Sequence, residues 1–414
     1  MISNEIKQYI NLSNRFISGK YNDMNYIILK GKVQSGKTAF MLKAAVYNKR
    51  RGIDTVIVLR RSNDDVLQLK SRIYKYNERL KRQNKLRFES MTNCYVFVPE
   101  RASGIFMCLS NKSQLTKAID RMDYRGNRYC VFIDECDLND TIDTKSADIL
   151  QTLKEKSLFS MGVSATVLDT VNREDIPDSN LIVLQECKSY VSISSFQFIE
   201  LEHDDALPCS RNNMDPFCQD SNLVSFLECM SKESPLETVR GKIPTMILMN
   251  IGVSRLAQQE VFKYGKRNYP NIVFLVYNGL GVLSSVPLFK GIDYINIEKK
   301  DGYYRNCQIG DAYQYLKDNG GVEKFPIILT ISGSLAARGI SFTSLDYANE
   351  KSVGWRTTHM YYICSKTTDQ PELIQNAGRP CVNAQKGDDN LVKFYSTNRS
   401  ILDIKKSFKL QEDL

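Results

Sequence analysis

The octapeptide Gly31-Lys32-Val33-Gln34-Ser35-Gly36-Lys37-Thr38 constrains this chain more than any other stretch. It fits the phosphate-loop pattern G-x-x-x-x-G-K-[ST] without a mismatch. Tyr26-Ile27-Ile28-Leu29, just before it, reads as a short buried strand, and Ala39 to Ala45, just after it, as the first turns of a helix. A strand–loop–helix of this kind belongs to α/β folds. Its glycines let the backbone wrap phosphate oxygens, with the amides and the helix N-terminus aimed at the negative charge. Gly31, Gln34, Ser35, Gly36, Lys37, Thr38 and Ala39 are the expected nucleotide contacts. Lys37 is placed to reach the β- and γ-phosphates, and Thr38 to hold Mg2+ through its hydroxyl.

Further apolar runs alternate with helical patterns. Thr55 to Leu59, Asn93 to Val98, Gly104 to Leu109 and Arg128 to Ile133 read as strands. Strands that are apolar on both sides predict a parallel sheet covered on both faces. The run Val131-Phe132-Ile133 ends on Asp134-Glu135-Cys136-Asp137. A carboxylate pair at the carboxyl end of a strand lies where open α/β folds bind ligands. Asp134 is the expected second Mg2+ ligand, and Glu135 the expected base that orients the attacking water. Downstream, Phe159 to Thr166 reads as a strand entering a Ser164-Ala165-Thr166 turn, whose hydroxyls are expected to hydrogen-bond to the acidic pair.

A length of 414 residues suits two domains rather than one. The net charge of +9 suits a polyanionic partner, and equally a generic basic surface. No secretory signal and no membrane-spanning apolar stretch is seen, so no membrane association is expected. The eleven cysteines include no C-x-x-C pair, which points to reduced thiols in a cytoplasmic compartment. Cys187, Cys209, Cys218 and Cys229 are too irregularly spaced for a zinc site, and His203 and His359 stand alone as surface or core residues.

The order of Gly31 to Thr38, Asp134-Glu135-Cys136-Asp137 and Ser164-Ala165-Thr166 resembles that of superfamily 2 helicases and translocases, with the acidic element in their D-E-x-D form. Ile243 to Asn250 resembles the strand that opens their second domain. Ile327 to Thr330 followed by Gly333 to Phe342 resembles motif V, and Leu373 to Pro380 resembles motif VI. A narrower likeness is to the ATPase domain of bacterial restriction and defence loci and to helicases of large DNA viruses. The abundant Asn, Ile, Lys and Tyr also suit an AT-rich, viral genome, which would place the protein in host cytoplasm or a virion.

The resemblance implies an α/β fold of two tandem RecA-like domains, residues 1–195 and 196–414, each a mostly parallel sheet with helices on both faces. It implies ATP and Mg2+ as cofactors, hydrolysis at the cleft between the domains, and movement along nucleic acid, DNA ahead of RNA. Arg379 is the implied arginine finger, with Arg338, Gly339 and Gln375 as further nucleotide contacts. Arg60, Arg61 and Ser62, then Asn250, Gly252, Gly333 and Ser334, occupy the implied nucleic-acid contact positions. Protein partners in a replication, transcription or defence complex are implied as well.

Departures are visible in motif VI, where Val382 replaces a second arginine and Asn376 replaces an arginine of many relatives, and in motif V, where Ser341 replaces aspartate. They leave an alternative open: a nucleotide-dependent nucleic-acid-binding switch or ATPase subunit without unwinding activity. A phosphate-loop kinase does not account for the second half of the chain, and a nuclease needs an acidic metal cluster that the sequence does not display.

Overall fold

The computed structural model describes all residues except 1–2, 20–24, 62, 93–96, 138–143, 168–175, 203–220, 252–253, 290–296, 334–339, 348, 350–351, 366, 386–390 and 413–414. The chain divides into two compact units, Met1–Glu186 and Cys187–Leu414.

The first unit runs α1 (Asn4–Ile17), β1 (Tyr26–Lys30), α2 (Lys37–Arg50), β2 (Asp54–Leu59), α3 (Asn63–Glu78), β3 (Phe88–Ser90) and β4 (Ile105–Leu109). It continues through α4 (Lys112–Arg125), β5 (Tyr129–Asp134), α5 (Thr144–Glu155), β6 (Ser160–Ser164) and β7 (Leu181–Val183). The seven strands form one sheet in the order β3-β4-β2-β5-β6-β1-β7, and every pairing is parallel.

Strand alternation sends the apolar run of β1 to both faces. Ile27 and Leu29 join the core under α1, α2 and α3, with Tyr9, Phe40 and Leu69. Tyr26 and Ile28 join the core under α4 and α5, with Leu115 and Leu153. The predicted strands at 55–59, 104–109 and 128–133 appear as β2, β4 and β5. Residues 93–96 of the fourth predicted strand lie outside the described residues.

α1 was not among the expected elements, although Ile6, Tyr9, Ile10, Phe16 and Ile17 recur at helical spacing; its Tyr9 is fully buried. Its hydroxyl donates to Asn48 Oδ1 at 2.9 Å, and its ring meets Phe40, Phe132 and Phe159 edge-on. Asn48 in turn donates to Thr55 Oγ1 at 3.2 Å. A fully buried polar side chain needs such partners, and here they tie α2, the helix behind the phosphate loop, to the sheet. On the other face of β2, Arg125 donates to Asp54 at 2.9 Å with both side chains fully buried.

The second unit opens with β8 (Tyr190–Val191), β9 (Gln197–Glu200), α6 (Ser221–Met230), the hairpin β10 (Leu236–Thr238) and β11 (Gly241–Ile243), then β12 (Thr245–Asn250) and α7 (Arg255–Asn268). Next come β13 (Val273–Asn278), β14 (Gly281–Ser284), β15 (Lys299–Lys300), β16 (Tyr303–Tyr304), α8 (Ile309–Asp318), α9 (Gly321–Lys324) and β17 (Ile327–Ser332). The unit closes with β18 (His359–Tyr362), α10 (Gln370–Ala377), β19 (Val382–Asn383), β20 (Lys393–Ser396) and α11 (Asn398–Glu412). Its main sheet has the order β15-β16-β14-β13-β17-β12-β18-β20-β9. It is parallel from β13 to β9 and antiparallel at the other edge.

Two segments depart from their sequence pattern. Val191 to Phe198 alternates apolar and polar residues as a strand does, but is broken by a 3-10 turn at Ile193–Ser195. Ser192 Oγ accepts from Ser194 N at 3.1 Å, and Ser195 Oγ accepts from Ser192 N at 3.2 Å. Serine side chains that take backbone amides compete with strand pairing in this way. The second is the region from Asn278, where Gly279, Gly281, Pro287 and Gly291 give the pattern of an irregular insertion. Its first part is the β13–β14 hairpin, entered through Gly281 at φ +104°, where an added Cβ would lie 2.2 Å from the Tyr304 carbonyl oxygen.

Candidate active site

The strand register of the first unit gathers the predicted residues at one sheet edge. β6 pairs with β1 at Lys30–Ser164 and with β5 at Asp134–Val163. The loop leaving β1 and the acidic turn leaving β5 therefore flank the end of β6.

The loop needs glycine for two different reasons. Gly36, at φ +102°, caps α2 in the left-handed region. A Cβ on Gly31 would meet Ser35 Oγ at 2.8 Å, Leu184 Cδ1 at 2.9 Å and Lys37 Cγ at 3.0 Å. Gln34 also adopts a positive φ of 60°. Lys37 Nζ folds back over the loop, donating to the Gly31 carbonyl at 2.8 Å and the Lys32 carbonyl at 3.0 Å. Burial lowers its pKa, against the pull of the Glu135, Asp134 and Asp137 carboxylates. Ala39, the last of the predicted loop contacts, is exposed on the first turn of α2.

Asp134 ends β5, and Glu135 follows it at φ +52°. A glutamate in the left-handed region is strained, and such strain collects at functional sites. Burial pushes the Asp134 pKa well up, reinforced by the Glu135 and Asp65 carboxylates and relieved by Lys37 and Arg72. A sheltered carboxylate with that much negative charge around it could hold a cation. Together with the Thr38 hydroxyl it makes an all-oxygen donor set that fits Mg2+.

The hydroxyls of Ser164 and Thr166 do not take the Asp134–Glu135 pair, as expected from the sequence, but Asp137. Ser164 Oγ donates to Asp137 Oδ1 and Thr166 Oγ1 to Asp137 Oδ2, both at 2.6 Å. The reason is topological: Asp137 is the carboxylate that the turn after β5 directs back over the end of β6.

Two further residues were not singled out in the sequence. Arg72, on α3, donates to Thr38 Oγ1 at 2.6 Å. Asp65, also on α3, accepts from Arg60, whose Nη2 lies 2.9 Å from its Oδ1. The only sequence signal for Asp65 and Arg72 is their seven-residue spacing on a helical pattern, which places them on one helix face.

Other expected positions are divided between the two units. Arg60 and Arg61 follow β2, and Arg61 Nε donates to the Ser110 carbonyl at 3.1 Å. Asn250 ends β12 and is buried, as is Gly333 just after β17. Gln375 is buried on α10. Arg379 is only 4% exposed in the turn after that helix, its Nη1 donating to the Ile340 carbonyl at 3.3 Å. Ser62, Gly252, Ser334, Arg338 and Gly339 lie outside the described residues. Among the described residues no His/Cys/Asp/Glu cluster of metal-binding type occurs, and no helix is long and apolar enough to cross a membrane.

No family model matches this sequence, and no curated protein matches it. Solved structures do. S. cerevisiae Dbp5 bound to RNA and ADP BeF3 superposes with a TM-score of 0.51 at 12% identity, over 99% of this chain and 91% of that one. RecG bound to a three-way DNA junction superposes with a TM-score of 0.50 at 14% identity, over 100% of this chain and 46% of that one. The likeness is one of fold: α/β, two tandem RecA-like domains, each a mostly parallel sheet with helices on both faces.

Proposed function

We propose that this chain is an ATP-dependent nucleic-acid helicase or translocase, of the superfamily 2 type its motifs resemble. The observation that carries the reading is the convergence of the phosphate loop, the Asp134–Glu135 turn and the Ser164/Thr166–Asp137 lock at one edge of a parallel sheet. In this reading Gly31, Gln34, Ser35, Gly36 and Ala39 shape the phosphate cradle, and Lys37 leaves the loop carbonyls for the β- and γ-phosphates. Glu135 orients the attacking water and accepts its proton. Thr38 and Asp134 hold Mg2+, which when bound offsets charge on the phosphates. Arg379, with Gln375, Arg338 and Gly339, completes the nucleotide contacts from the second unit.

Nucleic acid is proposed to lie along Arg60, Arg61, Ser62, Asn250, Gly252, Gly333 and Ser334. Phosphate contacts dominate there, since a motor must tolerate any sequence. DNA is the favoured polymer from the narrower sequence likeness. RNA stands beside it, because one structural neighbour was solved with RNA and the other with a DNA junction. Association with a replication, transcription or defence complex, in a reducing cytoplasmic setting of viral origin, is part of the same proposal. The domain line at 195/196 is kept as the proposed functional boundary.

The test is ATP hydrolysis by the purified protein, alone and with single-stranded DNA, duplex DNA and RNA, with Lys37→Ala as control. Stimulation by one polymer supports the motor and names its track. Hydrolysis that depends on Lys37 but ignores every polymer supports the second reading, a nucleotide-dependent switch. That reading is favoured by Val382, which is buried and paired with Val191 where relatives carry an arginine.

A further inference from the structure

Arg72 stands where the phosphate-loop reading needs a metal ion. Its Nη1 donates to Thr38 Oγ1 at 2.6 Å, and its charge acts favourably on Asp134. Thr38 and Asp134 are the two groups assigned to Mg2+. One guanidinium thus does what the metal is needed for: it fills a lone pair of the hydroxyl and offsets the sheltered carboxylate. The arrangement is braced from the same helix, because Asp65 lies on the Arg72 face of α3 and is itself clamped by Arg60. Lys37 is likewise satisfied internally, on the Gly31 and Lys32 carbonyls. Lys37 in the loop and Arg72 beside it are therefore both parked on protein oxygens.

We propose that Arg72 is a tethered counter-cation of the metal seat, which must release Thr38 before that oxygen can accept Mg2+. The inference rests on the phosphate-loop reading and deepens it, making Arg72 a positioning residue that sets the metal requirement of nucleotide loading. Two cations of like sign cannot share the Thr38 oxygen at hydrogen-bond distance without strong repulsion. Arg72 consequently competes with the metal, and in its absence the seat is open.

The experiment titrates Mg2+ into the protein with a fluorescent ADP analogue and follows anisotropy. Wild type is compared with Arg72→Met, Arg72→Gln and Arg72→Lys. The Gln variant keeps a donor for Thr38 without the charge, so it remains informative if the Met variant fails to fold. Loss of the charge is expected to lower the Mg2+ concentration for half-maximal loading by on the order of tenfold. Arg72→Lys is expected to remain near wild type. An unchanged or higher Mg2+ midpoint in both neutral variants overturns the inference, provided wild-type binding is abolished by Lys37→Ala. If the wild type binds no nucleotide at all, or binds it as well in Lys37→Ala, the phosphate-loop reading itself falls and takes the inference with it.

Discussion

Thr166 Oγ1 donates to Asp137 Oδ2 at 2.6 Å, joining the exit of one central strand to the acidic turn of its neighbour. Ser164 Oγ takes the other oxygen at the same distance, so each oxygen of that carboxylate has its own hydroxyl. Hydrogen bonds to an ionised group are about twice as strong as neutral ones. The acidic turn is thereby pinned to β6, and the Asp134–Glu135 pair inherits that position.

Thr166→Val is expected to lower stability by about 1–3 kcal/mol. Asp137→Asn with Thr166→Val should cost less than the sum of the single variants, since both act on one bond. Denaturant unfolding of the four proteins measures this, and strict additivity would remove the lock.

Glu135 combines an expected catalytic role with backbone strain. Glu135→Gln should leave nucleotide binding intact while reducing turnover about 10²–10⁴-fold. Glu135→Gly should also be inactive, yet more stable by about 1 kcal/mol, because glycine adopts φ +52° without the steric cost. ATPase assays and thermal melts on the same preparations test both halves. Normal hydrolysis by the Gln variant would move the base elsewhere.

Arg379→Ala should reduce kcat by about 10³-fold or more, with a smaller effect on nucleotide affinity, if it stabilises transition-state charge. An unaltered kcat would assign this 4%-exposed arginine to the packing of the second unit instead.

The Asp54–Arg125 pair lies at the edge of the sheet away from the phosphate loop. Arg125 also donates to the Ala102 carbonyl at 2.7 Å, and Asp54 accepts from Gly104 N at 3.0 Å. Arg125→Met leaves a buried carboxylate without its partner and should cost about 3–5 kcal/mol. Nucleotide affinity of the folded fraction should not change. A melt within experimental error of wild type would mean water reaches this pair.

Acid should weaken the second unit in two steps. Burial pushes the His359 imidazole below its usual 6.5, against the pull of Glu233 at 3.7 Å. The unfolded chain then binds the proton more readily, so stability falls as pH drops from about 6.5. His359 and Lys393 hold the Glu233 carboxyl down at about 2 from 4.5, so its contribution is present above 4.5 and is lost as pH falls toward 2. Trp355, the single tryptophan, is buried in this unit and reports its unfolding by fluorescence. His359→Gln should flatten the upper step and shrink the lower one, since the imidazole is part of what holds Glu233 down. A profile identical to wild type would sever the link to His359.

What is legible in the sequence is local. The phosphate loop and its flanking strand and helix are contiguous, because a backbone cradle must be built from consecutive amides. The runs that became β2, β4 and β5 showed themselves because a parallel strand covered on both faces has no polar side. The acidic turn was legible for the same reason, as the place where the apolar run of β5 stops. The hairpin at Gly281 and the break at Ser192 were not, since one depends on the approach of Tyr304 and the other on serine hydroxyls choosing nearby amides.

The sequence by itself determined that a phosphate loop and a carboxylate pair are present and that they sit on strands of an α/β fold. Only the tertiary structure decided which groups meet there. Arg72 reaches Thr38 across 34 positions of chain, and Thr166 reaches Asp137 across 29. Parallel strands must be joined by crossovers, so neighbours at the sheet edge are always distant in sequence. No local pattern distinguishes the hydroxyl or guanidinium that will arrive. Strand order and register make that choice, and with it the charge balance at the site.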